Sequence, residues 1–249
     1  MDLKEYLLRI GTDKIQKPSL EFLSDLQEKH LYSIPFEDLD IPDRAEIILD
    51  LERIYSKIIP TKRGGFCYEL NGLFHWLLTQ LGFKVDMLSA RVYNNQKNEF
   101  GPEFDHMALL VHLDKEYLTD VGFGDSFRQP IEIPSGETKD VSGHYRINSN
   151  NKTYELQRFE NGEWEPQYSF TTKTQKFSDF NDLCCFQQND PSSHFRTRMV
   201  CTIATQEGRI TLGNNSLTIT KNGNKSKTEF SSEKEFLRLL KKHFGIELT

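Results

Sequence analysis

Arg63-Gly64-Gly65-Phe66-Cys67-Tyr68-Glu69-Leu70-Asn71-Gly72 reads as a loop with two adjacent glycines running straight into a helix. The helix is expected over about 66–81, because Leu70, Phe74, Leu77 and Leu81 recur at helical spacing and Gly82 offers a C-terminal stop. Cys67 then sits in its first turn. Toward the N-terminus the same spacing recurs twice, in Leu20, Leu23, Leu26 and Leu31 after Pro18-Ser19, and in Ile47, Ile48, Leu51, Ile54, Tyr55 and Ile58 before Pro60. The first third therefore reads as a small helical bundle. From Lys84 onward the texture changes to short β-type runs at 87–93, 107–113, 117–121, 144–147, 154–159 and 164–170, separated by Asn, Gly, Pro and Asp. These predict an antiparallel sheet or barrel. Strands near 199–204, 210–212 and 217–220 follow, with polar 221–227 as an exposed hairpin tip around Asn222-Gly223. A closing helix begins at a capping box of Ser232 and Glu235. Helices, then strands, then a mixed tail define an α+β chain.

The composition supports a folded core. Of the 249 residues 37% are apolar, and 18 Phe and 9 Tyr supply bulky packing groups, which argues against global disorder. A formal charge of -6 without a dense Lys/Arg block leaves no electrostatic footprint for a general nucleic-acid or anionic-membrane binder. The opening segment MDLKEYLLRIGTDK is broken by charge and reads as a helix, not a signal peptide, and no apolar run approaches the ~20 residues that span a bilayer. The expected location is the cytoplasm. Cys67, Cys184, Cys185 and Cys201 lack paired CxxC spacing, so free thiols and no structural metal are expected.

Cys67 is the first candidate for chemistry. Unpaired N–H groups and the helix dipole favour a thiolate at a helix start, and Gly64-Gly65 would let a substrate approach without obstruction from a Cβ. The same local sequence suits a buried structural thiol behind a tight turn. Its partners decide. His75 lies eight residues along the same helix, ~12 Å away at ~1.5 Å per residue, too far to act as a base. His106 precedes the apolar run 107–111, where an imidazole at a strand end can face a cleft or merely cap the strand. His30, His112, His144, His194 and His243 read as surface or packing residues. Asp120 closes the next strand, and the hairpin register decides whether it reaches His106. A two-residue turn at Asp114-Lys115 sets His106 opposite Phe123 and sends Asp120 to the other face. A three-residue loop, 113–115, sets His106 opposite Gly122 with Asp120 diagonal on the same face, within hydrogen-bonding reach. A Cys67–His106–Asp120 triad requires the longer loop or a bulge.

These motifs resemble those of the arylamine N-acetyltransferases: 63–71 (RGGFCYELN), His106-Met107 at a strand start, and 120–124 (DVGFG). The resemblance extends to Tyr6-Leu7-Leu8-Arg9-Ile10-Gly11, Ile34-Pro35-Phe36-Glu37-Asp38-Leu39, Asp190-Pro191-Ser192-Ser193-His194-Phe195 and Gly208-Arg209, and so covers nearly the whole chain. It implies a three-part fold with a cysteine-protease-like Cys-His-Asp arrangement. A helical bundle over 1–84 would carry the nucleophile, a central antiparallel β-barrel over 85–190 would carry His and Asp, and 191–249 would form an interdomain segment and C-terminal α/β lid. The implied reaction is ping-pong transfer of an acetyl group from acetyl-CoA, as co-substrate, to an arylamine, arylhydroxylamine or arylhydrazine through acetyl-Cys67. No permanently bound cofactor is expected, and the assembly expected is a monomer or homodimer. Phe123, Asp125 and Phe127 would flank the acceptor pocket, with Phe36 and Phe66 adding to an aromatic slot, while Gly122 and Gly124 would lie near the entrance used by CoA. The commoner fate of phenylalanine is core packing. Arg9, Glu37 and Arg63 resemble a structural ion-pair network of the family.

Two departures stand out. Asp38 replaces an Asn common after the Pro-Phe-Glu signature, and Asp105 precedes His106 where a hydroxyl or basic residue is frequent. The same triad would also serve a cysteine hydrolase, a transglutaminase-like enzyme or an amide synthase that cyclises polyketide chains, because thiolate, imidazole and carboxylate suit several acyl transfers.

Overall fold

The computed structural model of the chain describes residues 1–42 and 45–248. Helices α1 (Leu3–Arg9), α2 (Leu20–Ser33), α3 (Leu51–Ile58) and α4 (Cys67–Gln80) come first, with a two-residue strand β1 (Phe36–Glu37) between the second and third. Side chains cap three of them: Asp2 accepts from Lys4 N–H at 2.7 Å, Ser19 from Phe22 at 3.2 Å and Asp50 from Arg53 at 3.0 Å. The Asp50 cap starts α3 later than the spacing from Ile47 suggests, and Ile47 instead packs ahead of the helix. Helix α4 stops as expected. Gly82 takes φ 85°, its N–H reaches Thr79 O and that of Phe83 reaches Leu78 O, both at 3.0 Å.

Nine strands follow: β2 (Lys84–Asn94), β3 (Glu99–Phe100), β4 (His106–His112), β5 (Glu116–Thr119), β6 (Ile131–Ile133), β7 (Glu137–Asp140), β8 (Gly143–Asn150), β9 (Thr153–Glu160) and β10 (Glu163–Gln175). Eight of them form an antiparallel path β6-β5-β4-β2-β10-β9-β8-β7, and β3 pairs with β2 alone. The end strands are neighbours in sequence, and Ile147 N–H on β8 donates to Gly136 O between them at 3.0 Å, so the sheet nearly closes into a barrel. Strand β4 is buried on both faces. Met107, Leu109 and Val111 pack against the helices, while Ala108 and Leu110 fill the barrel, which is why the run is unbroken apolar.

Helix α5 (Asn181–Asn189) leads to β11 (Val200–Thr205), β12 (Gly208–Gly213), β13 (Ser216–Lys221), β14 (Asn224–Glu229) and α6 (Glu233–Phe244). The β13–β14 turn falls at Asn222-Gly223 with φ of 49° and 78°, the left-handed pair a two-residue hairpin needs. Ser232 Oγ caps Glu235 N–H at 3.2 Å, but the Glu235 carboxylate turns to Arg238 and leaves the expected capping box half made. Helix α6 covers this sheet through Phe236, Leu239, Leu240 and Phe244. The α+β class and the barrel are as the sequence predicts. The packing nevertheless crosses the sequence boundaries: β1 joins β11 as the edge of the C-terminal sheet, and Phe180 and Cys184 belong to the core of the helices. Among the described residues no helix is long and apolar enough to cross a membrane.

Strand β1 also fixes the loop before α4. Glu37 N–H donates to Gly65 O at 2.9 Å, and a Cβ at Gly64 would lie 2.1 Å from Pro35 O. A Cβ at Gly65 would lie 2.8 Å from that of Glu69. The two glycines thus serve close chain packing, which corrects the reading that they open a path for substrate. Gly64→Ala is expected to lower the unfolding free energy by about 2 kcal/mol, the scale of overpacking a filled site; urea titration measures it, and an unchanged midpoint would contradict the steric account.

Candidate active site

Cys67 is the first residue of α4, buried at 6% exposure. Phe66 offers no side-chain cap, so Glu69 reaches back and accepts from Phe66 N–H at 3.1 Å. Glu69 is itself buried and held by Lys57 Nζ at 2.9 Å. Lys57 also meets Asp40 at 2.7 Å, and Arg63 grips Glu37 through Nε at 2.8 Å and Nη2 at 3.1 Å. Burial works against both cations, yet the surrounding carboxylates hold Lys57 and Arg63 above their ordinary pKa values. Arg9, expected in this network, instead donates to the carbonyls of Ser33, Ile58 and Lys62. Lys57 takes the place expected for it, which the sequence reading missed.

Strands β4 and β5 pair His112 with Glu116 and Leu109 with Thr119. The connecting loop is therefore the three-residue 113–115, the register that brings Asp120 to the face of His106. His106 Nε2 meets Asp120 Oδ2 at 2.7 Å, leaving Nδ1 as the other ring nitrogen. Asp120 is buried and takes three further hydrogen bonds: from Asn71 Nδ2 at 2.9 Å, Gly122 N–H at 2.8 Å and Tyr168 OH at 3.0 Å. Burial alone would raise this carboxyl, but His106, Asn71 and Gly122 together hold it below the usual range.

Asn71 and Tyr168 were not singled out from sequence. Asn71 stands four residues after Cys67 and so on the same helix face, and a buried Asn in mid-helix is itself a signal, because it is unfavourable there without partners. It also donates to Met107 O at 2.6 Å and accepts from Val121 N–H at 3.0 Å. Tyr168 comes from β10, with no sequence proximity to reveal it. Its ring and that of Phe123 pack on the His106 imidazole at 5.2 and 5.1 Å between centroids.

Cys67 and His106 open on one cleft of about 720 Å³. Val92, Asp105, Gly122 and Phe123 line it with them on the barrel side, and Phe36, Asp38, His194, Phe195, Arg198, Met199 and Val200 on the side of the C-terminal sheet. His194, read from sequence as surface or packing, is thus a cleft residue. Four expected cleft residues lie elsewhere. Phe66 is fully buried behind Phe195 at 6.1 Å, and Phe127 points into the barrel against Tyr145. Asp125 pairs with Arg209 at 2.9 Å and Arg158 at 3.3 Å, and Gly124 backs onto Phe36. Nearness in sequence to Asp120 does not place a side chain in the cleft, because the chain turns through 122–128. Gly122 does line it, and its missing Cβ is required: one would lie 2.6 Å from Asn71 Nδ2 and 2.9 Å from Cys67 Cα.

Burial pushes the Cys67 thiol well above its ordinary value, with Asp105, Cys184 and Asp120 adding and the Tyr68 N–H opposing. That shift runs against the thiolate that a helix start favours. Burial also raises Asp105, against the pull of His106, His194, Val92 N–H and the Gln187 amide, which donates to it at 2.9 Å.

A cysteine opening a helix, a histidine and aspartate in contact on a barrel rim, and a shared cleft define the class of thiol-dependent acyl-transfer folds. The sequence model of the family described as N-acetyltransferase matches residues 19–249. The arylamine N-acetyltransferase of Mycolicibacterium smegmatis is 34% identical over all of this chain and 93% of its own length. The crystal structure of an arylamine N-acetyltransferase from Bacillus cereus, described as having a Cys-His-Glu catalytic triad, superposes with a TM-score of 0.91 at 28% identity, covering 100% of both chains. That of Mycobacterium marinum in complex with CoA does so at 0.90 and 30%, covering 98% of this chain and 93% of that one. The chain belongs to the arylamine N-acetyltransferases, which are acyltransferases.

In this chain the carboxylate meeting the histidine is an aspartate. Hydrogen bonds to a charged group are worth about 1.5–3 kcal/mol, or roughly 10–100-fold in rate if fully expressed. Tyr168→Phe is expected to slow acetyl transfer ~10-fold and Asn71→Ala, which loses more partners, ~100-fold. Steady-state rates with circular dichroism as a folding control check this; wild-type rates in both variants would exclude a positioning role.

Proposed function

We propose that Cys67 is the nucleophile of a ping-pong acetyl transfer from acetyl-CoA to an arylamine, arylhydroxylamine or arylhydrazine, with His106 as base and Asp120 as its orienting partner. The observation that carries the reading is the buried His106–Asp120 contact at 2.7 Å in the cleft that exposes Cys67. Asp120 on Nε2 fixes the tautomer and leaves Nδ1 to take the thiol proton. The sulfur attacks the thioester carbonyl, and CoA leaves as the thiol, taking that proton back from Nδ1. The acceptor nitrogen then attacks acetyl-Cys67 and passes its proton to His106. The CoA complex of the Mycobacterium marinum relative supports acetyl-CoA as donor.

A flat aromatic acceptor suits the walls of the cleft, where Phe36, Phe123, Phe195, Met199 and Val200 present apolar surface. An aromatic amine is uncharged near pH 7 and enters as the free base, whereas a lysine ammonium would first have to lose its water and its proton. Four free thiols, three of them buried, fit a reducing compartment such as the cytoplasm.

Incubation with acetyl-CoA is expected to raise the intact mass by one acetyl group, removed by an arylamine and absent in Cys67→Ala; equal labelling of that variant would sink the assignment. Asp120→Asn is expected to fold and lose orders of magnitude in rate. Burial and Asp105 raise the thiol, so this mechanism assigns its ionisation to the imidazole. In His106→Gln the pH midpoint of Cys67 alkylation by iodoacetamide is expected above the ordinary ~8.5, and a midpoint at or below it would show that the helix start activates the sulfur unaided.

A further inference from the structure

Side chains on a strand alternate between faces, and β1 shows the consequence. Glu37 turns to Arg63, while Phe36 and Asp38 face the cleft that holds Cys67. Asp38 continues the ladder beyond β1: its N–H donates to Val200 O at 3.2 Å, and its Oδ1 accepts from Val200 N–H at 2.7 Å. The residue is 1% exposed. Among the described residues its other carboxyl oxygen meets no hydrogen-bond donor from another residue, although the side chain lines the cleft. The second cleft carboxyl, Asp105, is engaged by Gln187 at 2.9 Å. Among the described residues Asp38 is therefore a nearly buried polar group with one oxygen that no other residue engages.

We propose that Asp38 is a specificity-determining residue whose second carboxyl oxygen takes a hydrogen bond from a distal donor group on the acceptor, so that the site favours arylamines bearing a second, cationic or N–H-rich substituent. The inference rests on the acyl-transfer reading of the cleft. Two residues along a strand lie ~6.6 Å apart, close to the length of a para-substituted benzene ring. A ring packed on Phe36 thus spans to Asp38. A carboxylate recognises an amidinium by charge-assisted hydrogen bonds and repels a benzoate. The Asn common at this position in the family would keep the Val200 bond but lose the charge.

The charge is conditional. Burial raises the Asp38 carboxyl to about 7, with Glu37 of its own segment adding and the Val200 N–H and Lys57 of α3 opposing. The buried Cys201 thiol lies on β11, and Asp105, His194 and Arg198 line the same cleft. A raised carboxyl is neutral below that pH and charged above it, so a cationic substituent gains affinity as pH rises through about 7.

The test compares 4-aminobenzamidine, 4-methylaniline and 4-aminobenzoate as acceptors in the wild type and in Asp38→Asn, with acetyl-Cys67 formation followed separately by intact mass. The kcat/KM ratio of aminobenzamidine over methylaniline is expected to fall at least tenfold in the variant, and that of aminobenzoate over methylaniline to rise. In the wild type KM for aminobenzamidine should decrease between pH 6 and pH 8, and methylaniline should not follow it. Ratios unchanged by the substitution, all acceptors having slowed alike, would mean a purely structural Asp38 and overturn the proposal. If the variant does not fold, a flat wild-type KM profile for aminobenzamidine would overturn it equally. Failure of acetyl-CoA to label Cys67 would instead remove the acyl-transfer reading beneath both.

Discussion

A buried carboxylate needs donors on every side, and Asp120 draws them from four parts of the chain at once. His106 comes from β4, Asn71 from α4, Tyr168 from β10 and the N–H of Gly122 from the segment after β5. Losing one such donor leaves part of a charge unsatisfied in a dry interior, which costs more than the bond itself is worth. The need for all four holds α4 close against β4 and the 120–122 segment. At that separation no side chain fits at Gly122, whose Cβ would meet both Asn71 and the Cys67 backbone. One ionised group thus sets how near the cysteine-bearing helix lies to the histidine-bearing strand.

The other end of the arrangement is an ion cluster below the helix start. Glu69 satisfies Phe66 N–H and is neutralised by Lys57, which also meets Asp40; Arg63 closes the set on Glu37 and Asp40. Because Glu37 belongs to β1, and β1 is an edge strand of the C-terminal sheet, the cluster links the first turn of α4 to β11. The alternation of β1 then puts Phe36 and Asp38 into the cleft. The wall formed by Met199 and Val200 and the base formed by Cys67 are in this way held to one another by charges that never enter the cleft.

Much of this was legible in the sequence because it is written locally. Apolar spacing and Gly82 marked α4, the apolar run after His106 marked a strand, and hairpin arithmetic showed that His106 and Asp120 meet only with the longer loop or a bulge. Elements without a local signature were not foreseen: β1 spans two residues, β14 exposes every side chain, and α5 buries only Cys184, Gln187 and Gln188. Contacts made by folding alone were equally hidden. Tyr168 lies 48 positions from Asp120, and Lys57 reaches Glu69 across a loop that says nothing of their pairing. Phe66 and Phe127 show the reverse failure, since proximity to reactive residues in sequence suggested a slot while strand and turn geometry sent both rings into the core.

The electrostatics of the cleft bear on what it can transform. Asp105 and Asp120 oppose a thiolate at Cys67, and burial opposes it more strongly than either. In the proposed mechanism the sulfur carries charge only while its proton resides on His106, so charge and proton are exchanged as a pair. Acetylation removes the thiolate and leaves a neutral thioester beside an imidazole whose Nδ1 can again accept a proton. The second half-reaction then requires a nucleophile that arrives neutral and becomes acidic as it attacks, which describes an arylamine better than an alkylammonium. The proton released from nitrogen is positive and moves toward the His106–Asp120 pair, while the Cys67 sulfur leaves against the same carboxyls and needs that protonated imidazole beside it. The same negative surroundings therefore favour the proton's movement from nitrogen and make the departing sulfur, like the resting one, depend on His106.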